Sequence, residues 1–520
     1  MNTKKVIKDI GIVTVLLGLR SVVGFIRDVV MASRFALDYT MDAFNIASKV
    51  PLTIANLLVM GVFTAVFLPI FTRYIIENKK EELNKLVGIL FIIITVGFTV
   101  LIILAEIFAR PFIMYVLTNN ATAETVDEAI VLFRLMMPAV LLMAWSGLAS
   151  GIHNSFQRFT MPAVGNLLFN IWMVLPAWIF PQSWGIRGFA VGVCIGALFQ
   201  LLVQLPGLFG KHMKLDINFN MRHPALMGIG SLVIPVLLSS SINYLVPFVE
   251  TFLASGIANG AVSALAYAFR ISQLPLGIFV LAISSVVYPL FAEAVAKNNP
   301  EALKSNIQWG LKLVVMIIIP AGFGLLALSH PIVMMLFQRG KFGIVDTVMT
   351  SAPLAFYGLA IIPMAIEAVL VKVFYSISDT KTPVKIYLSN LIMLVILDVV
   401  FVKMGLGVVG LALGATICAF VRILMVVIAM RKKIGIFGLS GLMVSIIKST
   451  VASIVMSIVA YLIAIRANYV VNLGSNFGRS LQVGFAIVVG VAVYAVVLYI
   501  IDRKEINQML VVFKRRGQSA

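Results

Sequence analysis

Arg20, Arg27 and Asp28 interrupt an apolar stretch that begins at Ile10, and Asp42, Lys49, Glu250 and Arg270 interrupt later ones. An ionisable side chain at bilayer depth costs roughly 2.5–3.5 kcal/mol on insertion scales, so such residues turn toward a cavity or a partner. Arg20 and Arg27 are seven residues apart, nearly two helical turns, and share a face that Asp28 adjoins. A purely structural set of ion pairs tends to balance its charges. Here Arg20, Arg27, Lys49 and Arg270 outnumber the nearby Asp28 and Glu250, with Asp42 closer to a helix end. A surplus of cation in a cavity receives an anion, and arginine suits phosphate because its fork bonds two oxygens and its charge does not titrate away. For any single residue the bland alternative stands beside this one: Arg27 pairs locally with Asp28, or Arg270 with Glu250.

Other intramembrane polar groups are weaker signals. Arg134, one turn before Pro138, lines a cavity or caps a kink; Glu367 and Lys372 are spaced to pair; Arg422 and Lys448, near helix ends, are expected to snorkel. Asn390 and Asp398 share a face, with Thr416 on the next helix. They make a candidate monovalent-cation site, set against a plain hydrogen-bonded helix contact. Cys194 and Cys418 lie in apolar runs and make no disulfide framework or metal site. His153, His212, His223 and His330 are scattered, which argues against a membrane-embedded transferase or phosphatase with clustered acid–base groups. No nucleotide-binding G-x-x-x-x-G-K-[ST] loop occurs. The reading is a transporter without cofactor or metal rather than an enzyme, driven by membrane potential or a monovalent cation.

The elements that must position these groups are transmembrane helices. Of 520 residues, 61% are hydrophobic and 12% charged, too apolar for a soluble chain. A spanning helix needs about 20 apolar residues. Such runs fall near 10–33, 43–70, 86–108, 127–151, 162–181, 185–208, 226–254, 260–292, 308–329, 349–376, 383–403, 405–430, 440–465 and 480–501, the eighth with a kink expected at Pro275. The first is long, charged and without a small-residue cleavage site, so it reads as a retained helix. The net charge of +19 would suggest nucleic acid in a soluble protein, but here the cations sit in short loops. If the N-terminus is cytoplasmic, the inner segments hold most of them, from Lys4, Lys5 and Lys8 through Lys79 and Lys80, Lys211, Lys214 and Arg222, and Arg431 to Lys433, to the tail with Lys504, Lys514, Arg515 and Arg516. The outer ones hold only Arg34, Arg110, Arg187, Arg339, Lys341, Lys403, Arg466 and Arg479. That bias places both termini in the cytoplasm.

An internal repeat is present. Asp28 and Glu250 are each followed by Ala-Ser; Ser48 to Leu52 resembles Ser272 to Leu276; Ser155 and Pro162 match Ser376 and Pro383; Gly185, Gly188 and Gly192 match Gly407, Gly410 and Gly414. All share an offset of about 221–224 residues, which spans six helices, so the copies have the same orientation. The expected architecture is an all-α polytopic membrane protein with about fourteen helices. It has a lobe over residues 1–215, a pseudo-symmetric lobe over 216–432, and two additional helices with a basic tail over 433–520. The charges of helices one, two, seven and eight are expected around one central cavity.

GFIRD (24–28), MDAFNIASKVP (41–51), GIHNSFQRFTMPA (151–163), LFQRGKF (336–342) and FYSISDTKTPVKI (374–386) resemble, in order, the motifs of the MurJ (MviN) lipid II flippases. The similarity runs from about residue 10 to 430. The resemblance implies the fold of the multidrug/oligosaccharidyl-lipid/polysaccharide (MOP) exporter superfamily, with two six-helix lobes in a V around a cationic cavity and a last helix pair bordering a groove for a polyprenyl tail. It implies a bacterial inner-membrane protein, working as a monomer, whose substrate is lipid II, the undecaprenyl-pyrophosphate-linked peptidoglycan precursor, moved to the outer leaflet. It places the family's essential Arg-Asp on Arg27 and Asp28, its helix-two Asp on Asp42 and its helix-eight Arg on Arg270. The chain departs from many relatives at Ala55, Asn56, Met60 and Phe269, where they carry charges. Those departures keep a second reading in view, a flippase for another polyprenyl-linked glycan of the O-antigen or capsule type. A cation-coupled drug exporter fits a positive cavity poorly, and a scaffold would carry isolated charges without return.

Overall fold

The computed structural model describes residues 3–208, 224–436, 438–467 and 472–503. Lys211, Lys214, Arg222, His212 and His223 lie outside them, as do the tail cations from Lys504 onward. The described chain is a series of helices: α1 Thr3–Phe35, α2 39–76, α3 Lys80–Ile107, α4 Ala123–Ser155, α5 Thr160–Ile179, α6 Gly185–Leu202 and α7 Pro224–Ser255. They continue as α8 Ala261–Ala296, α9 Pro300–Phe337, α10 Ile344–Ser376, α11 Lys381–Lys403, α12 Gly407–Ile434, α13 Leu439–Ala467 and α14 Asn476–Ile501. No strand occurs among the described residues. Among the described residues eleven helices are long and apolar enough to cross a membrane, with shorter apolar helices in α2 and α7. The protein is a multi-pass membrane protein. Each expected apolar run corresponds to one helix, and several helices extend a turn or more past it, because polar residues at helix ends reach beyond the hydrocarbon.

Prolines shape the long helices. Pro51 lies within α2, which becomes π-helical over Leu57–Phe67. Pro275 is followed at once by the π-helical Leu276–Val280, so the expected kink in α8 takes the form of a widened turn. A proline removes one backbone donor and crowds the preceding turn, and a local i→i+5 pattern re-satisfies the freed groups. In α9, Leu328 leaves helical geometry (φ −106°, ψ 15°) three residues before Pro331, for the same steric reason.

The repeat recurs in the turns. Residues with left-handed φ stand at Asn78 and Asn298, Asn120 and Gly340, Gln157 and Ser378, and Gly185 and Gly407. Each pair is separated by 220–222 residues, close to the offset of about 221–224 in the sequence. Left-handed backbone is disfavoured for residues with a Cβ, so four coincidences at one spacing mark equivalent turns.

By packing, the chain forms two compact units, Met1–Ser263 and Ala264–Ala520. α7 belongs to the first. Its Ile229, with Leu226, Val233, Val236 and Leu237, joins a core made by Val62, Phe63, Val66, Phe71, Leu83, Leu86, Leu90, Ala144, Leu148 and Ile152 of α2, α3 and α4. The repeat boundary near residue 215 describes sequence pattern, whereas the division at Ser263 describes packing. In the second unit α13 and α14 pack on α9: Ala452, Met456, Tyr494 and Leu498 cluster with Met316 and Phe323, and Tyr494 donates from its hydroxyl to Met316 O (2.8 Å).

Candidate substrate-binding site

In the first unit, α1 carries Arg27 against its own neighbour. Arg27 Nε and Nη2 donate to Asp28 Oδ1 at 3.0 and 2.9 Å, and Nη1 points to Met173 Sδ of α5 (3.4 Å). The side chains are 13% and 8% exposed, so the pair is largely withdrawn from solvent. The local pairing weighed for Arg27 therefore occurs, and Asp28 fixes the guanidinium in place. Close approach of α5 makes this possible: a Cβ on Gly24 would stand 3.3 Å from Asn170 Oδ1. Arg20, partly buried on the same face of α1, has no hydrogen-bond or ion-pair partner among the described residues. Lys49 of α2 lies within electrostatic reach of Glu250 of α7, both in the first unit.

Asp42 does different work. It is buried, and its Oδ2 accepts from Gly260 N (2.6 Å) while Oδ1 accepts from Ser263 N (2.8 Å) and the Ser263 hydroxyl (2.6 Å). Asn45 adds a bond from Nδ2 to Ser263 Oγ (3.0 Å). The N–H groups at a helix start lack intrahelical acceptors. Asp38 meets that need for α2, its carboxylate taking Tyr39 N at 2.7 Å. At the repeat-equivalent position α8 has Gly260, with no side chain to offer, and Asp42 supplies the carboxylate instead.

In the second unit, Arg270 is partly buried on α8, and the preceding Phe269 packs edge-on against Tyr357 of α10 (5.6 Å between centroids). Glu367 pairs with Arg422, not with Lys372: Arg422 Nε donates to Glu367 Oε2 at 2.7 Å, with side-chain exposures of 16% and 3%. Lys372 instead lies over the Tyr288 and Tyr375 rings (5.7 and 5.9 Å). Arg422 does not snorkel; Tyr387 stacks beneath its guanidinium (5.2 Å) and draws it inward. Lys448 pairs with Asp502 (2.9 Å), and Arg134 bonds Glu106 (3.5 Å) at a half-exposed position. Of the candidate cation ligands, Asn390 donates to Cys418 O (2.9 Å) and accepts a long bond from Arg422 (3.4 Å). The Thr416 hydroxyl faces Phe356 O and Ala412 O (3.0 and 2.7 Å), while Asp398 is fully buried against Gly414. Among the described residues no group of three or more His, Cys, Asp or Glu is placed to hold a metal ion.

The family model for the lipid II flippase MurJ matches residues 31–477, most of the chain. The chain belongs to the MurJ family. A probable lipid II flippase MurJ of Vibrio cholerae is 27% identical over 430 residues, covering 81% of this chain and 82% of that protein. Among solved structures, a lipid II flippase MurJ in an inward closed conformation superposes with a TM-score of 0.81 at 23% identity, over 95% of this chain and 99% of the other. An inward-facing multidrug resistance MATE transporter of the MOP superfamily gives 0.69 at 18% identity, over 82% and 98%. MurJ-family membership makes the chain a transporter by kinship, and the MATE likeness shows that its helical fold is that of the wider superfamily.

The first unit also holds a polar centre that sequence reasoning passed over. Gln204 Nε2 donates to Ser146 Oγ (2.7 Å) and Gln200 O (2.9 Å), and its Oε1 accepts from the Ser150 hydroxyl (2.9 Å). His153 Nε2 reaches Gln204 O (2.9 Å), and Gln200 Nε2 reaches Asn166 Oδ1 (3.1 Å). The signal was there: Ser146 and Ser150, and Gln200 and Gln204, are i,i+4 pairs inside apolar runs. His153 counted as one of four scattered histidines because its partner is a backbone carbonyl, invisible to any spacing rule.

Proposed function

We propose that this protein translocates lipid II from the cytoplasmic to the outer leaflet of the bacterial inner membrane by alternating access. Its relatives carry that activity in their names, and the geometry that supports it is the face of α1. Arg27 is fixed by Asp28, and Arg20, a further guanidinium on the same face, has no counter-ion among the described residues. A guanidinium held in place by its neighbour, with a second one beside it on the same helix face that lacks a counter-ion, suits a diphosphate at bilayer depth. In this reading Arg27 holds the diphosphate with Arg20 in support, and Arg270 has the same task in the second unit. Asp42 holds the start of α8 in one state and lets it go in another.

The chain works as a monomer with both termini in the cytoplasm. The driving force is the membrane potential or a monovalent-cation gradient, since 100 mV supplies ~2.3 kcal/mol per charge moved. The test is rescue of cells depleted of their own lipid II flippase, with lipid II at the outer leaflet measured directly. The parent chain should rescue. Arg27→Ala and Arg270→Ala should each fail at normal abundance, while a charge-keeping Arg27→Lys should retain part of the activity. Full flipping by both alanine variants would remove the proposal.

A further inference from the structure

Three cations sit at helix ends of the second unit, apart from the charges already described. Arg339 and Lys341 lie in the turn between α9 and α10, and Arg479 lies in the first turn of α14. Arg479 donates from Nε to Leu473 O (2.7 Å) and from Nη1 to the carbonyl of Gln338, the residue beside Arg339. Arg339 donates from Nη2 to Met335 O (2.7 Å), while its Nε is buried and without a partner among the described residues. The carboxylate of Asp346, close by in sequence, accepts from Gly343 N (2.7 Å). Among the described residues no carboxylate pairs with Arg339 or Arg479. Carbonyl oxygens therefore hold both guanidinium groups in position without neutralising them. Burial first, and Arg479 second, draw the pKa of Arg339 down, as expected for cations kept close together. Two fixed like charges with donors left over form a receptor for an oxyanion.

The surroundings say what carries that oxyanion. Ile344, Val345 and Val348 in the first turns of α10 are 68%, 80% and 53% exposed, and Phe477 and Leu481 of α14 are 77% and 47% exposed. A soluble phosphate gains nothing from this apolar rim. A lipid places its phosphate at the interface and its chains alongside such side chains. The α9–α10 and α13–α14 turns are separated by four crossings, so they lie on one membrane face, opposite the α10–α11 turn with Lys381 and Lys385.

We infer that Arg339 and Arg479 form a binding site for a lipid-borne phosphate at the membrane interface, with Lys341 beside it. The site does not depend on the transport reading, because a bilayer phosphoglyceride and a polyprenyl pyrophosphate offer the same group. Native mass spectrometry of the full chain in neutral detergent tests it, with phosphatidylglycerol, undecaprenyl pyrophosphate and inorganic pyrophosphate as separate probes. Arg339→Gln breaks a single bond and should melt with the parent. It should bind at least one of the two lipids about tenfold more weakly, and adding Arg479→Gln should weaken it further. Arg466→Gln, an exposed arginine at the end of α13 on the same face, should bind as the parent does. Loss confined to phosphatidylglycerol makes the bilayer the source of the ligand; loss confined to undecaprenyl pyrophosphate makes it the transported class; loss of both supports the shared chemistry. Parent-like retention of both lipids by the double variant would overturn the site. So would an equal loss in Arg466→Gln, or inorganic pyrophosphate bound as tightly as the lipids.

Discussion

Helices α4–α6 of the first unit and α10–α12 of the second are repeat equivalents, yet their buried polar centres are built from different chemistry. At an offset of 221–222 residues, Ser146, Asn166 and Gln200 correspond to Glu367, Tyr387 and Arg422. The first set, joined by Gln204, is a network of neutral hydroxyls and amides. The second is an ion pair capped by an aromatic ring. The surrounding packing is conserved in kind: Gly192 receives Pro176 where Gly414 receives Asp398, again at one offset of 222. The same three-helix frame therefore accepts either neutral or charged contents, provided each buried group is answered. What differs is the consequence of removing one partner. A neutral network loses a bond and leaves a dipole unsatisfied, whereas an ion pair leaves a net charge in the apolar interior.

The largest effect should come from Arg422→Met, which strands Glu367 with a side chain 3% exposed. A loss of about 3–5 kcal/mol is expected, read as a lower melting temperature in detergent. Adding Glu367→Met should recover most of it, because an apolar pair of similar volume is often as stable as a buried ion pair. A double variant no better than the single would mean that the pair itself, rather than the stranded charge, stabilises α10–α12. Next comes Gln204→Leu, which removes the bonds to Ser146, Ser150 and Gln200 O but spares the backbone bond to His153. It should lower stability by about 1–3 kcal/mol. A Gln204→Leu loss exceeding that of Arg422→Met would erase the distinction between the two centres.

Much of this frame was legible in the sequence, because hydropathy fixes where helices cross and the repeat fixes which helices correspond. The spans follow from apolar run length, and the parallel repeat from matched residues such as Gly185, Gly188 and Gly192 with Gly407, Gly410 and Gly414. Individual partners were less legible. Glu367 at five residues from Lys372 reads as a pair, yet Arg422, fifty-five residues away, takes it. One-dimensional spacing describes a single helix, and the bond crosses from α10 to α12. Asp42 was legible as a charge but not as the cap of α8, because its need arises from what Gly260 lacks. Asn390 and Thr416 read as possible ligands, but helix contacts occupy their polar atoms.

Glycine substitutions sharpen the comparison at a smaller scale. A Cβ on Gly192 would stand 2.5 Å from Pro176 Cγ and 2.9 Å from the Trp172 carbonyl oxygen. A backbone oxygen cannot rotate away, so Gly192→Ala should destabilise α5–α6 by about 1–3 kcal/mol through overpacking. Gly414→Ala meets only side chains, chiefly the Asp398 carboxylate, and should lose less. Melting curves of the two variants give the order, and a larger loss at Gly414 would mean that Asp398 is held as rigidly as a backbone group.

The smallest effect lies in the turns that follow α4 and α10, where Gln157 (φ 58°) and Ser378 (φ 59°) are equivalent and the next residues are opposite in charge, Arg158 and Asp379. Burial pushes the Asp379 carboxyl up, but Lys433 Nζ at 2.6 Å and the Thr382 hydroxyl and N–H at 2.7 and 3.1 Å outweigh it and hold the group at about 2. A carboxylate whose pKa is lower folded than unfolded stabilises the fold fully above the unfolded value, about 3.9, and loses that contribution as pH falls toward the folded one. Melting temperature followed from pH about 5 down to about 2 should therefore fall less steeply in Asp379→Asn and in Lys433→Gln than in the parent. Arg158→Gln should leave that acid limb unchanged, because it leaves the Asp379 carboxylate and its partners in place. If all three variants track the parent, the tie from Asp379 to Lys433 contributes nothing to holding α12 against the α10–α11 turn.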